Sequence, residues 1–108
     1  MTFADQVILA LHLYDNPELT QVRSSYRLPR CNAESIGFYR DGTWYSVLKS
    51  RGTIIAVLIS GDNILPHMIT IGSLDRTGRR HMDKWHRIKN AVYNMDIPIF
   101  SMEGTNSI

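Results

Sequence analysis

The chain has 108 residues, of which 44% are hydrophobic and 20% are charged, and its formal net charge is +2 at pH 7. This length suits one folded domain, residues 1–108, and the apolar fraction argues against intrinsic disorder. A net charge this small excludes a protein that binds polyanions through its overall charge, so electrostatic binding would need a local cluster of cations.

Cys31 is the only cysteine of the sequence, so an intramolecular disulfide is excluded, which fits a reducing compartment. The apolar run at residues 7–13 is too short to cross a bilayer and lacks the basic flank of a signal peptide. We therefore expect a cytoplasmic protein without membrane contact. No spacing of cysteines and histidines resembles a metal site, so no metal is predicted.

Two helices are predicted at the N-terminus. Thr2 and Asp5 form a capping pattern, and apolar residues follow at helical spacing. Asn-Pro-Glu at residues 16–18 indicates a second helix start, with Asn as the cap and Pro at the first position. Pro29 would end this second helix. Its apolar face would consist of Leu19, Val22 and Tyr26.

A meander of three to four antiparallel strands is predicted next. Residues 36–40 and 43–49 alternate with period two on either side of Asp41-Gly42, which is the strongest hairpin signal of the chain. Residues 53–59 are continuously apolar and largely β-branched, which favours a central strand covered on both faces. Residues 64–72 follow as a further strand.

A long basic helix is predicted at residues 77–93, with a return strand at residues 97–102. Met82, Trp85 and Ile88 recur at helical spacing, and arginines lie on the other side of the helix. The element order therefore predicts an α+β fold. Two N-terminal helices and one long basic helix would pack on a mostly antiparallel sheet of three to four meander strands plus the return strand.

Positive charge is concentrated at the beginning of the long helix. Every Lys and Arg of the C-terminal half lies between Arg76 and Lys89. Cations are unfavourable beside the positive end of a helix dipole, which hints at an anionic partner such as phosphate. Gly78, Arg79 and Arg80 are candidates for this role. The alternative is a solvated helix end in which the glycine only gives the turn its freedom.

The element order resembles the GNAT acyltransferase fold, in which an antiparallel meander leads through a phosphate-binding loop into a long helix and a return strand. That loop would be residues 73–80 here. Residues 79–85 (Arg-Arg-His-Met-Asp-Lys-Trp) and 100–108 look most like GNAT-like proteins of tailed bacteriophages. The resemblance covers roughly the last seventy residues.

The resemblance implies a site for acetyl-coenzyme A along the loop and the helix start. The backbone from Ile71 to Ser73 would hold the pantetheine arm, and the helix start would hold the pyrophosphate. The cofactor-binding residues predicted in this way are Ile71, Ser73, Arg76, Gly78, Arg79 and Arg80.

Two departures from the family argue against full activity. The loop pattern (Gln or Arg, two residues, Gly, one residue, Gly or Ala) places Asp75 at its first position and Arg80 at its last. An acid repels a pyrophosphate, and a large side chain obstructs its approach to the backbone. The family also continues past the return strand with a further arm, whereas this sequence stops at Ile108, so we expect a shortened relative that is weakly catalytic or not catalytic.

Three functions follow as hypotheses. The first is a small phage-type GNAT-like protein that binds a host or virion protein, in the host cytoplasm or the virion. The second is an active acyl-coenzyme A-dependent N-acyltransferase, for which no catalytic residue is identified. The third is a nucleic-acid-binding module. The predicted contact residues for a protein or nucleic-acid partner are Arg79, Arg80, Lys84 and Arg87. An uncovered sheet edge also predicts a homodimer.

Overall fold

The first helix, α1 (Phe3–Asp15), begins at the predicted cap. In the computed structural model, which describes residues 1–103, the Asp5 N–H donates to the Thr2 hydroxyl at 3.0 Å and the Thr2 N–H donates to the Asp5 carboxylate at 3.4 Å. At the other end, the Arg23 guanidinium donates to the carbonyl oxygens of Leu13 and Tyr14, both at 3.0 Å. A cation therefore satisfies carbonyls that a helix C-terminus leaves without partners.

Six strands form one sheet in the order of the sequence. They are β1 (Gln21–Arg27), β2 (Ala33–Arg40), β3 (Thr43–Ser50), β4 (Thr53–Gly61), β5 (Ile64–Thr70) and β6 (Ile99–Ser101). Strands β1 to β5 pair antiparallel, and β6 pairs parallel to β5. The second helix, α2 (Arg76–Tyr93), makes the crossover between β5 and β6.

Two of the connections are tight turns with left-handed backbone at both central residues. Asp41 and Gly42 have φ of 47° and 83°, and Arg51 and Gly52 have φ of 53° and 83°. Paired positive φ values are the signature of type I′ turns, whose twist matches that of the flanking strands. The Asp-Gly pair thus joins β2 to β3, where the sequence predicts a hairpin.

The two helices cover opposite faces of the sheet, and each face has its own core. One core packs α1 against residues such as Phe38, Val57 and Ile69, and the other packs α2 against residues such as Leu58 and Met68. Because β4 contributes to both cores, its continuous apolar sequence is explained.

The predicted second helix is wrong. Residues 17–19 form only one 3₁₀ turn, and β1 follows as an edge strand paired with β2. The spacing of Leu19, Val22 and Tyr26 is coincidental, because all seven residues of β1 are exposed and bury no apolar face. Val and Ser in this stretch are also weak helix formers. The described chain therefore has two α-helices rather than the three predicted.

The predicted sheet is also corrected. It is a six-stranded mixed sheet with a five-strand meander, instead of a mostly antiparallel sheet of three to four meander strands and a return strand. The extra strand is β1, which has no alternating pattern to reveal it. Residues 104–108 lie outside the described residues, and with them most of the C-terminal run used in the family resemblance. No helix in residues 1–103 is long and apolar enough to span a membrane.

Candidate functional site

The topology brings three segments together at one end of the sheet. Strands β1 and β3 end there, β2 and β4 begin there, and β5 ends there before leading into α2. The loop at residues 28–32, the turn at residues 50–53 and the first half of α2 consequently meet. Neighbouring antiparallel strands run in opposite directions, so these connections lie at the same end of the sheet although the three segments are far apart in the sequence.

These segments enclose a cleft of about 690 Å³ that is lined mainly by cations. Asp83 is the only carboxylate residue that lines it. We call this surface the basic cleft and define it by its five cationic side chains, which are Arg30, Arg51, Arg80, Lys84 and Arg87. A chain with a net charge of only +2 thus concentrates positive charge at one concave site.

Two of the five cations are already engaged by the protein. Arg51 forms an ion pair with Asp75, with an N–O distance of 2.7 Å, and Lys84 donates to the Pro29 carbonyl oxygen at 2.6 Å. The Lys84 contact ties α2 to the loop that forms the opposite wall.

The other three cations are arginines that remain available. Within residues 1–103, Arg30, Arg80 and Arg87 have neither an ion pair nor a side-chain hydrogen bond. Each presents five N–H donors in a planar fork that matches phosphate oxygens. Three guanidinium groups are therefore free to bind an anion.

Both arginines that the loops supply have a left-handed backbone, with φ of 59° at Arg30 and 53° at Arg51. This conformation costs a non-glycine residue about 1–2 kcal/mol. Arg51 adopts this conformation as the first central residue of the type I′ turn between β3 and β4, and Arg30 adopts it in the loop after β1. The fold therefore tolerates an unfavourable backbone at two positions that line the same cleft.

His81 is a buried residue of the cleft wall. Its Nδ1 lies 2.7 Å from the Ser50 hydroxyl oxygen, and 6% of its surface is exposed. Burial lowers the pKa of His81 below 6.5, and the nearby charges of Arg51 and Lys84 lower it further. The imidazole is therefore neutral at pH 7, mainly because it is buried, and the neighbouring cations of the basic cleft act in the same direction.

Asp75 occupies the N-terminus of α2. Its carboxylate accepts the Gly78 N–H at 2.7 Å, and a Cβ at Gly78 would lie 3.1 Å from the same oxygen. The hydrogen bond from Arg51 lowers the pKa of Asp75, and the Gly78 N–H lowers it further. The helix is thus capped by a carboxylate of its own chain, which fills the place where an external phosphate would bind.

The structure does not bring the predicted cofactor residues into one site. The Ile71 N–H already donates a hydrogen bond to the Ile55 carbonyl oxygen at 2.8 Å. The other predicted residues border three separate grooves. Ser73 and Gly78 border a groove beside the β3–β4 turn, and Ser73 and Arg79 border a second groove beside β6. Arg80 lines the basic cleft, and Arg76 borders none of the three grooves.

The strands on either side of the crossover also leave no slot between them. Thr70 pairs with Ser101 at the end of β5, and the Met102 N–H donates to the Thr70 carbonyl oxygen at 2.9 Å. An acyl-coenzyme A site of the expected kind needs these strands to separate. The geometry does not favour that cofactor, and its binding stays a prediction.

The predicted partner-contact residues are brought together in part. Arg80, Lys84 and Arg87 line the basic cleft, whereas Arg79 lies on the side of α2 next to β6. The sequence reasoning missed Arg30 and Arg51 as members of this site. A strand order that included β1 would have placed the loop of Arg30 at this end of the sheet.

The described residues include no group of three or more His, Cys, Asp or Glu arranged to hold a metal ion. Comparisons of the chain with family models, with curated proteins and with solved structures found no match.

Proposed function

We propose that this protein binds single-stranded nucleic acid through the basic cleft. The observation that carries the proposal is the presence of five cationic side chains and one carboxylate residue in one concave surface, with three of the cations unpaired within residues 1–103. Cations that neutralise phosphates release condensed counterions, which drives binding to a nucleic-acid backbone.

The spacing of the cations along α2 supports a strand rather than an isolated anion. Arg80 and Arg87 are seven residues apart on the helix, which corresponds to about 10 Å at 1.5 Å per residue. This length exceeds the distance between adjacent phosphates of one strand, so cations at its two ends can contact different phosphates of the same strand. A single strand can enter a concave cleft, whereas the convex surface of a duplex contacts fewer of the side chains that line the cleft.

Fluorescence anisotropy with a labelled single-stranded oligonucleotide tests the proposal. The double variant Arg80→Gln/Arg87→Gln removes two charges from the basic cleft, and Arg76→Gln/Arg79→Gln removes two charges from the same helix outside it. We expect the first variant to bind about tenfold more weakly or worse, since each charge-assisted contact contributes about 1 kcal/mol or more. The second variant should bind like the wild type.

Equal weakening by both variants would show that net charge, and not the basic cleft, determines binding. An unlabelled duplex of the same sequence serves as the competitor. A duplex that competes better than the single strand would contradict the preference for one strand.

We propose as a second candidate the function that the family resemblance implies, which is binding of a host or virion protein by a GNAT-like relative. The exposed edge strand β1 favours it, because all seven of its residues are accessible and its outer edge offers unpaired N–H and C=O groups. A partner strand can add to such an edge.

Affinity capture from bacterial lysate, with and without nuclease treatment, separates the two candidates. A protein that stays bound after nuclease treatment, and that the Arg80→Gln/Arg87→Gln variant still captures, supports protein binding at β1. Capture that disappears both with nuclease and with that variant supports the basic cleft as the nucleic-acid site.

A further inference from the structure

On the face of the sheet opposite the basic cleft, α1 and strands β3 to β5 leave a pocket of about 200 Å³. Its apolar lining includes Leu9, Tyr45, Ile59 and Ile64. An apolar cavity of about 150 Å³ is large enough to hold benzene. The pocket therefore has room for one ring and a short substituent.

Two buried polar side chains border this pocket. His67 is held at both ring nitrogens, because Nδ1 lies 2.8 Å from the Leu65 carbonyl oxygen and Nε2 lies 2.6 Å from Oε1 of Gln6. Gln6 is 7% exposed and His67 is 3% exposed. Nδ1–H donates to the Leu65 carbonyl oxygen, and Nε2 hydrogen-bonds to one end of the Gln6 side-chain amide, whose oxygen and nitrogen can exchange places.

In either orientation one end of the Gln6 amide is left over. His67 engages only one end, and within residues 1–103 the other end has no hydrogen-bond partner. This end is not fully buried, because every fully buried side-chain nitrogen or oxygen of the described residues has a hydrogen-bond partner. That end therefore keeps some accessible surface, and Gln6 lines the pocket. The side chain thus offers the pocket a hydrogen-bonding position that no described residue occupies.

We propose that this pocket binds a small, mostly apolar molecule of about one ring in size that carries one hydroxyl or amide group. The apolar part lies against Leu9, Ile59 and Ile64, and the polar group hydrogen-bonds to the free end of the Gln6 amide. This combination of an apolar lining with a few placed polar groups is typical of small-molecule sites. The site is independent of the basic cleft, which lies on the other face of the sheet.

Benzyl alcohol and ethylbenzene are matched probes for this site, because they differ only in a terminal hydroxyl or methyl group. Titrations followed by ¹H–¹⁵N correlation spectra should show saturable shifts at Gln6, including its side-chain amide, and at Ile59, Ile64 and His67. Only benzyl alcohol can hydrogen-bond to Gln6, so it alone should shift the Gln6 side-chain amide protons downfield, whereas both probes should shift Ile59 and Ile64. The two Kd values do not test the hydrogen bond, because the buried methyl group of ethylbenzene gains about 0.8 kcal/mol, similar to one net hydrogen bond.

Two substitutions in α1 provide the matched variants. Leu9 lines the pocket and is 36% exposed, so Leu9→Trp can fill the mouth without disturbing the core. Ile8 is 60% exposed and does not line the pocket, so Ile8→Trp is the control. We expect the first variant to lose the benzyl alcohol shifts and the second to keep them, with unchanged spectra elsewhere.

Three results would overturn the proposal. They are no saturable shift up to the solubility limit of benzyl alcohol, the same shift of the Gln6 side-chain amide with both probes, and binding that survives Leu9→Trp. Because these measurements contain no nucleic acid, they leave the test of the basic cleft unaffected.

Discussion

Replacing Trp85 by phenylalanine is expected to destabilise the fold by about 2 kcal/mol. Trp85 is fully buried between α2 and the sheet, and its indole N–H donates to the Ser35 hydroxyl at 3.0 Å. The smaller ring leaves a cavity of roughly 40 Å³, which at about 24 cal/mol per Å³ costs about 1 kcal/mol.

The lost hydrogen bond adds a second contribution. A buried group left without its partner costs about 1–3 kcal/mol. The lower end of this range, about 1 kcal/mol, brings the total to about 2 kcal/mol.

Urea unfolding followed by far-UV circular dichroism measures this change. The matched variant is Ser35→Ala, and the double variant completes a cycle whose coupling energy should be about 1 kcal/mol. A loss below about 0.5 kcal/mol for Trp85→Phe, or a coupling energy of zero, would refute the reasoning that this pair anchors α2 on the sheet.

The remaining predictions concern pH and the end of α1. Because the folded state holds the pKa of His81 below 6.5, the unfolded state binds a proton that the folded state does not, and the free energy of unfolding should fall as the pH drops below 6.5. Urea titrations at pH 7, 6 and 5 should show a slope of at most about 1.4 kcal/mol per pH unit, and His81→Gln should remove it; a slope that persists in the variant contradicts this prediction. Arg23→Ala removes the cation that binds the last carbonyls of α1 and should lower the melting temperature by several degrees, for a loss of about 1–2 kcal/mol. Substitution of Arg27, which lies in the same exposed strand, is the control for the loss of charge alone.

Much of the fold can be predicted from local sequence signals, and the exceptions have physical causes. The capping pattern at Thr2, the Asp41-Gly42 turn and the apolar stripe around Trp85 each identify an element, because backbone geometry or a buried face determines the residue types. Strand β1 gives no such signal, since both of its faces are exposed. The Asn16-Pro17 pair before it begins the 3₁₀ turn and resembles a helix cap.

The candidate site was predictable to the extent that it lies on one helix. Arg80, Lys84 and Arg87 lie at helical spacing, so their common face could be predicted from the sequence. Arg30 comes from the loop after β1, so the error over β1 removed it from the predicted site. Arg51 comes from the β3–β4 turn, and its place beside α2 depends on the packing of the helix on the sheet.

The salt dependence of oligonucleotide binding tests the central proposal most directly. Binding to a single strand should weaken with a slope of about −0.7 in log K against log salt concentration per phosphate contacted, or about −2 for the three unpaired arginines. Arg80→Gln/Arg87→Gln should reduce the magnitude of the slope by about 1.4, whereas Arg76→Gln/Arg79→Gln should leave it unchanged. A wild-type slope near zero, or an equal reduction in both variants, would contradict binding through the basic cleft.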